Sequence, residues 1–189
     1  MLRTETVTTG LKEYRKVVKL YKSAFPKEEQ APMFFLLQRA KKDYIHFNAY
    51  YDNEALIGIA YLIVYDRISY VLYIATDAAV RSKGYGSQII KHIKTQYPDN
   101  RIILNIEEED EHANNIEQRK IRKQFYIKNG FTSPEIFMKL FGVTWELMVY
   151  NGTCTARDFL KLHKKALGPF IYYCTRPFIS NQHQTAKYE

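Results

Sequence analysis

Residues Thr76 to Ile90 read Thr-Asp-Ala-Ala-Val-Arg-Ser-Lys-Gly-Tyr-Gly-Ser-Gln-Ile-Ile, behind an apolar run from Tyr70 to Ala75. An Arg81-x-x-Gly84-x-Gly86 turn between an apolar strand and a helix start is suited to one kind of chemistry. The first amides of a helix have no partner within it, and they lie at the positive end of its dipole. Gly84 and Gly86 let an anion come close to that backbone where a Cβ would obstruct it. Arg81 and Lys83 add positive charge beside it. A phosphate or pyrophosphate fits such a cradle best. Glycines also serve tight strand–helix turns that hold nothing, and the bare motif leaves both accounts open. It is not a P-loop, since Gly-Lys-Ser/Thr is missing, and it lacks the third glycine of a dinucleotide fingerprint.

Other reactive residues give less. Cys154 and Cys174 have no paired spacing with histidine, so no metal site is expected, and reduced thiols suit them better than a bridge. His46, His92, His112, His163 and His183 show no ligand-like spacing. The run Glu107 to Glu111 follows the apolar segment Arg101 to Ile106, and a solvated acidic loop accounts for it.

The elements that must position the turn follow from periodicity and breakers. A short strand is expected over 3–9. Leu11, Tyr14, Val17, Val18, Tyr21 and Phe25 mark a helix that Pro26 ends. A second helix runs from Pro32 to about Lys42, with Phe34 to Leu37 as a broad apolar surface. Strands follow near 45–51 and 55–65, then at Tyr70 to Thr76, with Asp52-Asn53 as a turn. Gly86 to Tyr97 is a helix stopped by Pro98, with Ile89, Ile90, Ile93 and Tyr97 as its buried stripe. Arg101 to Ile106 is a buried strand, and a helix from Asn115 closes at Asn129-Gly130. Strands at 134–141 and 143–151 and a helix at 156–166 complete the pattern, with Trp145, Phe141 and Val143 packing in the closing strands.

The second motif supplies context: Gln124-Phe125-Tyr126-Ile127-Lys128-Asn129-Gly130-Phe131. With the turn, it resembles the GCN5-related N-acetyltransferase (GNAT) superfamily. Arg81, Gly84 and Gly86 match the family's pyrophosphate turn, while Tyr126, Gly130 and Phe131 match its Tyr-x-x-x-Gly-Phe helix end. The order of elements from residue 3 to 150 is similar as well. The resemblance implies an α/β fold: one domain with a central mixed, mostly antiparallel sheet, flanking helices and splayed central strands. The boundaries expected are 1–152 for that domain and 153–189 for a C-terminal extension.

It also implies acetyl-CoA as co-substrate, without a metal, and acetyl transfer to a primary amine in a direct ternary complex. Ile74, Ala75 and Thr76 would pair with pantetheine, and the amides of Ser82, Lys83, Gly84, Tyr85, Gly86 and Ser87 would hold the pyrophosphate. The amide of Ala75 or Thr76 would polarise the thioester carbonyl, and Tyr126 would protonate the leaving thiolate. Its other account is a core tyrosine beside Phe125. Where some members carry a carboxylate base, this chain has Tyr70, so Glu107 is the candidate base, with Glu108 and Glu109 beside it. These carboxylates could equally attract a cationic amine without moving a proton. Arg119 and Arg122 stand where many members have Asn and a small residue, and could grip cofactor phosphates or form a solvated helix face.

Bulk properties bound the alternatives. The chain has 189 residues, 28 basic against 20 acidic, a net charge of +8, and 16 tyrosines. That charge would suit nucleic acid, but it is scattered and an acidic run interrupts it, so nucleic acid is an unlikely partner. No apolar run approaches the ~20 residues that span a bilayer, and the amino terminus lacks a signal-peptide core. A soluble cytoplasmic monomer or homodimer acting on a small-molecule or peptide amine is the expectation. A catalytically inert CoA-binding or interaction module of the same fold is the alternative.

Overall fold

The computed structural model describes residues 2–140, 142–167 and 178–181. The chain divides into two compact units, Met1–Pro98 and Asp99–Glu189.

In the first unit, four strands form an antiparallel meander: β1 (Arg3–Thr6), β2 (Ile45–Asp52), β3 (Ala55–Tyr65) and β4 (Ile68–Thr76). β3 is apolar almost throughout and buried from Ile57 to Ile63, because both of its faces are covered. Phe47 and Tyr61 lie opposite one another in register, and Tyr73 pairs with Tyr61 on the same face. That face meets α1 (Tyr14–Ala24), whose Val17, Leu20 and Tyr21 are buried while its Lys and Arg side chains point out. Pro26 disfavours helical geometry at Phe25, which is extended, so α1 ends there. Gly58 and Tyr50 pair on the opposite face, where Ile89 and His92 of α3 (Tyr85–Gln96) pack.

Two register breaks shape this sheet, and in the first Tyr50 pairs with Gly58 but Tyr51 with Leu56, which leaves Ile57 as an extra residue in β3. In the second, Tyr61 pairs with Tyr73 but Leu62 pairs with Val71, which leaves Leu72 as an extra residue in β4. Such a bulge bends and twists a strand locally, here just before Ile74. The second helix is shorter than its apolar run suggests. α2 covers Met33–Arg39, buries only Leu36, and leaves Phe34 73% exposed.

In the second unit, the antiparallel order is β5 (Arg101–Glu107), β7 (Val143–Tyr150), β6 (Ile136–Leu140) and β8 (Phe178–Asn181). β8 was not foreseen; it lies in the aromatic tail and pairs with β6 from Ile136↔Asn181 to Lys139↔Phe178. α4 (Ile116–Lys128) lies against β5. Its end is tied off by bonds from the Asn129 amide to Phe125 O at 3.2 Å and from the Phe131 amide to Tyr126 O at 3.0 Å. α5 (Ala156–Leu167) opens on a reciprocal cap: the Asp158 amide donates to Thr155 Oγ1 at 3.1 Å, and the Thr155 amide donates to Asp158 Oδ2 at 3.2 Å. Cys154 is buried; Cys174 and Phe141 lie outside the described residues. Among the described residues, no helix is long and apolar enough to cross a membrane.

Candidate functional site

The first unit holds the glycine turn. β4 ends at Thr76, and a helical turn at Ala78–Val80 follows, held by the Ala79 amide on Asp77 Oδ1 at 2.9 Å. The Asp77 amide also donates to Ile57 O at 2.9 Å, so the exit from the strand is fixed to β3. Next comes the unusual backbone. Ser82 has φ +62° and Gly84 has φ +80°, both left-handed. A serine in that region is uncommon, and Arg81 before it is extended, with φ −59° and ψ 155°. Gly84 is the residue before α3, no side chain caps that helix, and its first turn has no acidic residue. A Cβ built on Gly84 would meet nothing within 4 Å, so space is open beside the turn. Arg81, Ser82, Lys83 and Gly84 are exposed; Tyr85, Gly86 and Ser87 are half-buried, as are Ile74, Ala75 and Thr76. Thus Ser82, Lys83 and Gly84 lead straight into Tyr85, Gly86 and Ser87 of the first turn of α3, and Ile74, Ala75 and Thr76 share one strand end in the same unit.

Next to that strand end, a knot of tyrosines holds the connection between α1 and α2. The Tyr73 hydroxyl donates to Glu29 O at 2.7 Å and accepts from the Ala31 amide at 3.2 Å. Tyr21 donates to Ala31 O at 3.1 Å, and Tyr61 donates to Leu36 O at 3.2 Å. Tyr73 packs edge-on against Tyr21 and Phe25, with centroids 5.1 and 4.9 Å away. Burial raises the Tyr21, Tyr61 and Tyr73 phenols above their ordinary range, so all three stay protonated as donors. A concave pocket of about 340 Å³ lies between Thr6–Thr9 and α2, lined in part by Phe34 and Leu37, and includes none of the candidate site residues.

The second unit holds the other named residues. Tyr126 is 7% exposed and packs edge-on against Phe125 and Phe131, with centroids 5.1 and 5.6 Å away. Burial pushes its phenol up to about 12, partly opposed by the Arg122 charge. Glu107, Arg119 and Arg122 come together. Arg119 Nη2 lies 3.2 Å from Glu107 Oε1, and Arg122 Nη1 lies 2.6 Å from Oε2. Asn115 Nδ2 donates to Oε1 at 3.3 Å. Both Glu107 oxygens are therefore charge-paired, an arrangement better suited to holding two guanidiniums than to taking a proton from an amine. Arg119 is occupied on all three nitrogens, since Nε donates to Asn115 Oδ1 at 2.8 Å and Nη1 to Glu108 O at 2.7 Å. Arg122 is the more exposed of the pair.

Sequence reasoning missed a buried charge here. Glu146 in β7 is 2% exposed, and Lys123 Nζ of α4 lies 3.0 Å from its Oε2 and 3.6 Å from Glu109 Oε2. The signal was a lone acid inside the apolar strand Val143–Tyr150, which alternation could have flagged. Asp52 and Tyr73 were missed too, because their partners are far away in sequence. Among the described residues, no group of His, Cys, Asp and Glu is placed to hold a metal ion.

A family model described as an acetyltransferase (GNAT) domain matches residues 42–133. The chain carries a GNAT acetyltransferase domain. The match includes the glycine turn of the first unit and Tyr126, Gly130 and Phe131 of the second. Solved structures of GNAT proteins agree. A putative GNAT-family acetyltransferase from Bacteroides thetaiotaomicron is 25% identical with TM-score 0.72, and the alignment covers 90% of this chain and 98% of that one. The ribosomal-protein-S18-alanine N-acetyltransferase of Escherichia coli shares the fold at 14% identity, TM-score 0.58, with 84% and 98% covered. A GNAT acetyltransferase from Elizabethkingia anophelis with acetyl-CoA bound does so at 14%, TM-score 0.57, with 80% and 98% covered. Among curated proteins, none matches the chain by sequence. The GNAT domain makes this chain an acyltransferase, and its α/β fold is the one expected from the two motifs.

Proposed function

We propose that this chain transfers an acetyl group from acetyl-CoA to a primary amine, directly, in a ternary complex. The observation that carries the reading is the cradle: left-handed Ser82 and Gly84 open onto an uncapped helix with space beside them. Those features fit a pyrophosphate, whose charge would complete the helix start as a cap otherwise does. Ser82, Lys83, Gly84, Tyr85, Gly86 and Ser87 would hold it with their amides, and Arg81 and Lys83 would add charge. Ile74, Ala75 and Thr76 would pair with the pantetheine arm, one of them turning an amide toward the thioester carbonyl. When bound, acetyl-CoA supplies an activated acyl group on a good thiolate leaving group.

Tyr126 is assigned the donor to that thiolate. A phenol near 12 is a weaker acid than an ordinary thiol at about 8.5. Its part is therefore to stabilise the departing sulfur by a hydrogen bond rather than to give up its proton fully. Glu107 is assigned the holding of Arg119 and Arg122, and exposed Glu109, Asp110 and Glu111 the attraction of a cationic amine. A second reading, a CoA-binding module without turnover, is favoured by one observation, the full pairing of Glu107.

Calorimetry with acetyl-CoA tests the reading first; micromolar binding and a raised melting temperature are expected. An amine panel with thiol detection then separates the two readings. Turnover that falls about 10²-fold or more in Tyr126→Phe, with acetyl-CoA affinity kept, supports the enzyme. No thiol release with any amine, despite tight binding, supports the inert module.

A further inference from the structure

We propose that Asp52 is a positioning residue for the anion cradle, acting through the Tyr85 hydroxyl. The Tyr85 hydroxyl donates to Asp52 Oδ2 at 2.6 Å, in the short range of a bond to a charged acceptor. Tyr85 is the first residue of α3, directly after left-handed Gly84, so one Cα carries both this side chain and one of the cradle's amides. Asp52 is the last residue of β2 and pairs with Ala55 across the hairpin. Asn53 follows with φ +52°, and its Nδ2 lies 3.4 Å from Asp52 Oδ1. The acceptor thus belongs to the end of a paired hairpin, while the donor opens the helix whose first amides, with those of the loop before it, must stay aimed.

That loop has little else to lean on. Arg81 to Gly84 are exposed, and the space beside Gly84 is open. Tyr85 is the first residue after them to be half-buried, and its bond reaches 33 positions back along the chain. The carboxylate accepts the phenol proton and no helix amide, so it fixes the first turn without filling the cradle as an acidic N-cap would. The same bond holds the Tyr85 phenol above its ordinary range.

This inference rests on the reading that the cradle takes the CoA pyrophosphate, and its test separates the two. CoA affinity is measured by calorimetry for the full chain and for Asp52→Ala, Asp52→Asn, Tyr85→Phe and the Asp52→Ala/Tyr85→Phe double variant. Loss of the bond is expected to weaken CoA about five- to tenfold in Asp52→Ala and in Tyr85→Phe. The double variant is expected to be no worse than either single one. Asp52→Asn keeps an acceptor oxygen and removes a negative charge, so it binds as tightly as the wild type or more so. If Asp52 only repelled phosphate, Asp52→Ala would bind more tightly, and the inference would be overturned. Unchanged affinity in both single variants would overturn it too.

Amide exchange without CoA gives an independent arm. The Gln88 amide donates to Gly84 O at 3.1 Å and reports the first turn of α3. Its exchange should speed up severalfold in Tyr85→Phe and not in Asp52→Asn. Wild-type protein that fails to bind CoA refutes the function proposed above. In that case the positioning role stands or falls on the Gln88 exchange alone.

Discussion

Two glycines near the cradle should fail for different reasons, and the difference is measurable. At Gly58 a Cβ would stand 2.6 Å from the Ala75 carbonyl oxygen and 2.6 Å from Ile89 Cδ1. Ordinary contact begins at 3.4 Å, so both neighbours would need to give by 3.4 − 2.6 = 0.8 Å. One is strand backbone, and the other belongs to a fully buried isoleucine that cannot swing into solvent. Overpacking of this kind costs about 2 kcal/mol. For a chain of this size, that lowers the melting temperature by roughly 4–8 °C. At Gly84 a Cβ would meet nothing, but φ is +80°, so Gly84→Ala carries only a conformational cost of about 1 kcal/mol. Scanning calorimetry with and without CoA reads both effects. Gly58→Ala should melt well below wild type and also bind CoA less tightly, because the displaced atoms belong to Ala75 and its strand. Gly84→Ala should melt close to wild type yet lose most of the CoA-induced rise. A Gly58→Ala protein that melts within 1 °C of wild type would refute the packing argument, since roughly 0.8 Å of overlap cannot be absorbed that cheaply.

Three further outcomes are expected. Lys123→Met leaves Glu146 charged and buried without its partner and should cost about 3–5 kcal/mol in urea unfolding; Lys120→Met, at an exposed pair with Glu117, should cost less than about 0.5 kcal/mol. Tyr73→Phe removes the bond to Glu29 O and the one from the Ala31 amide, so exchange at Ala31 should rise while Tyr126 environment reporters stay unchanged. Stability should fall as pH rises above 10, because the unfolded phenols lose protons there while Tyr126, raised to about 12 in the fold, keeps its own. That one residue accounts for about 2 kcal/mol by pH 12; phenol absorbance and circular dichroism should then change together.

Much of the fold was legible because breakers and periodicity agreed. Pro26 and Pro98 ended helices where expected, and Asn129-Gly130 closed α4 over Phe131. The turn was legible because it is local: glycines between an apolar strand and a helix start mark it, and Gly84 is left-handed there. The left-handed Ser82 carried no such mark. What the sequence hid depends on distant partners. The extra Leu72 in β4 appears only once β3 pairs with it, since neither strand alone shows a register break. Arg119 and Arg122 looked free to meet phosphates because Glu107 lies a loop away in sequence. Phe34 belonged to an apolar run that promised burial, but a helix as short as α2 turns only part of such a run inward.

The strand at Phe178–Asn181 bears on how this protein can be shortened. A fragment ending at residue 152 keeps both sequence motifs and looks complete by that measure. It would nonetheless strip β6 of the neighbour that pairs with it from Ile136 to Lys139. A bare strand edge carrying Ile136, Phe137 and Met138 is a template for joining other chains. Such a truncation therefore risks sticky, self-associating protein, whatever becomes of the chemistry upstream.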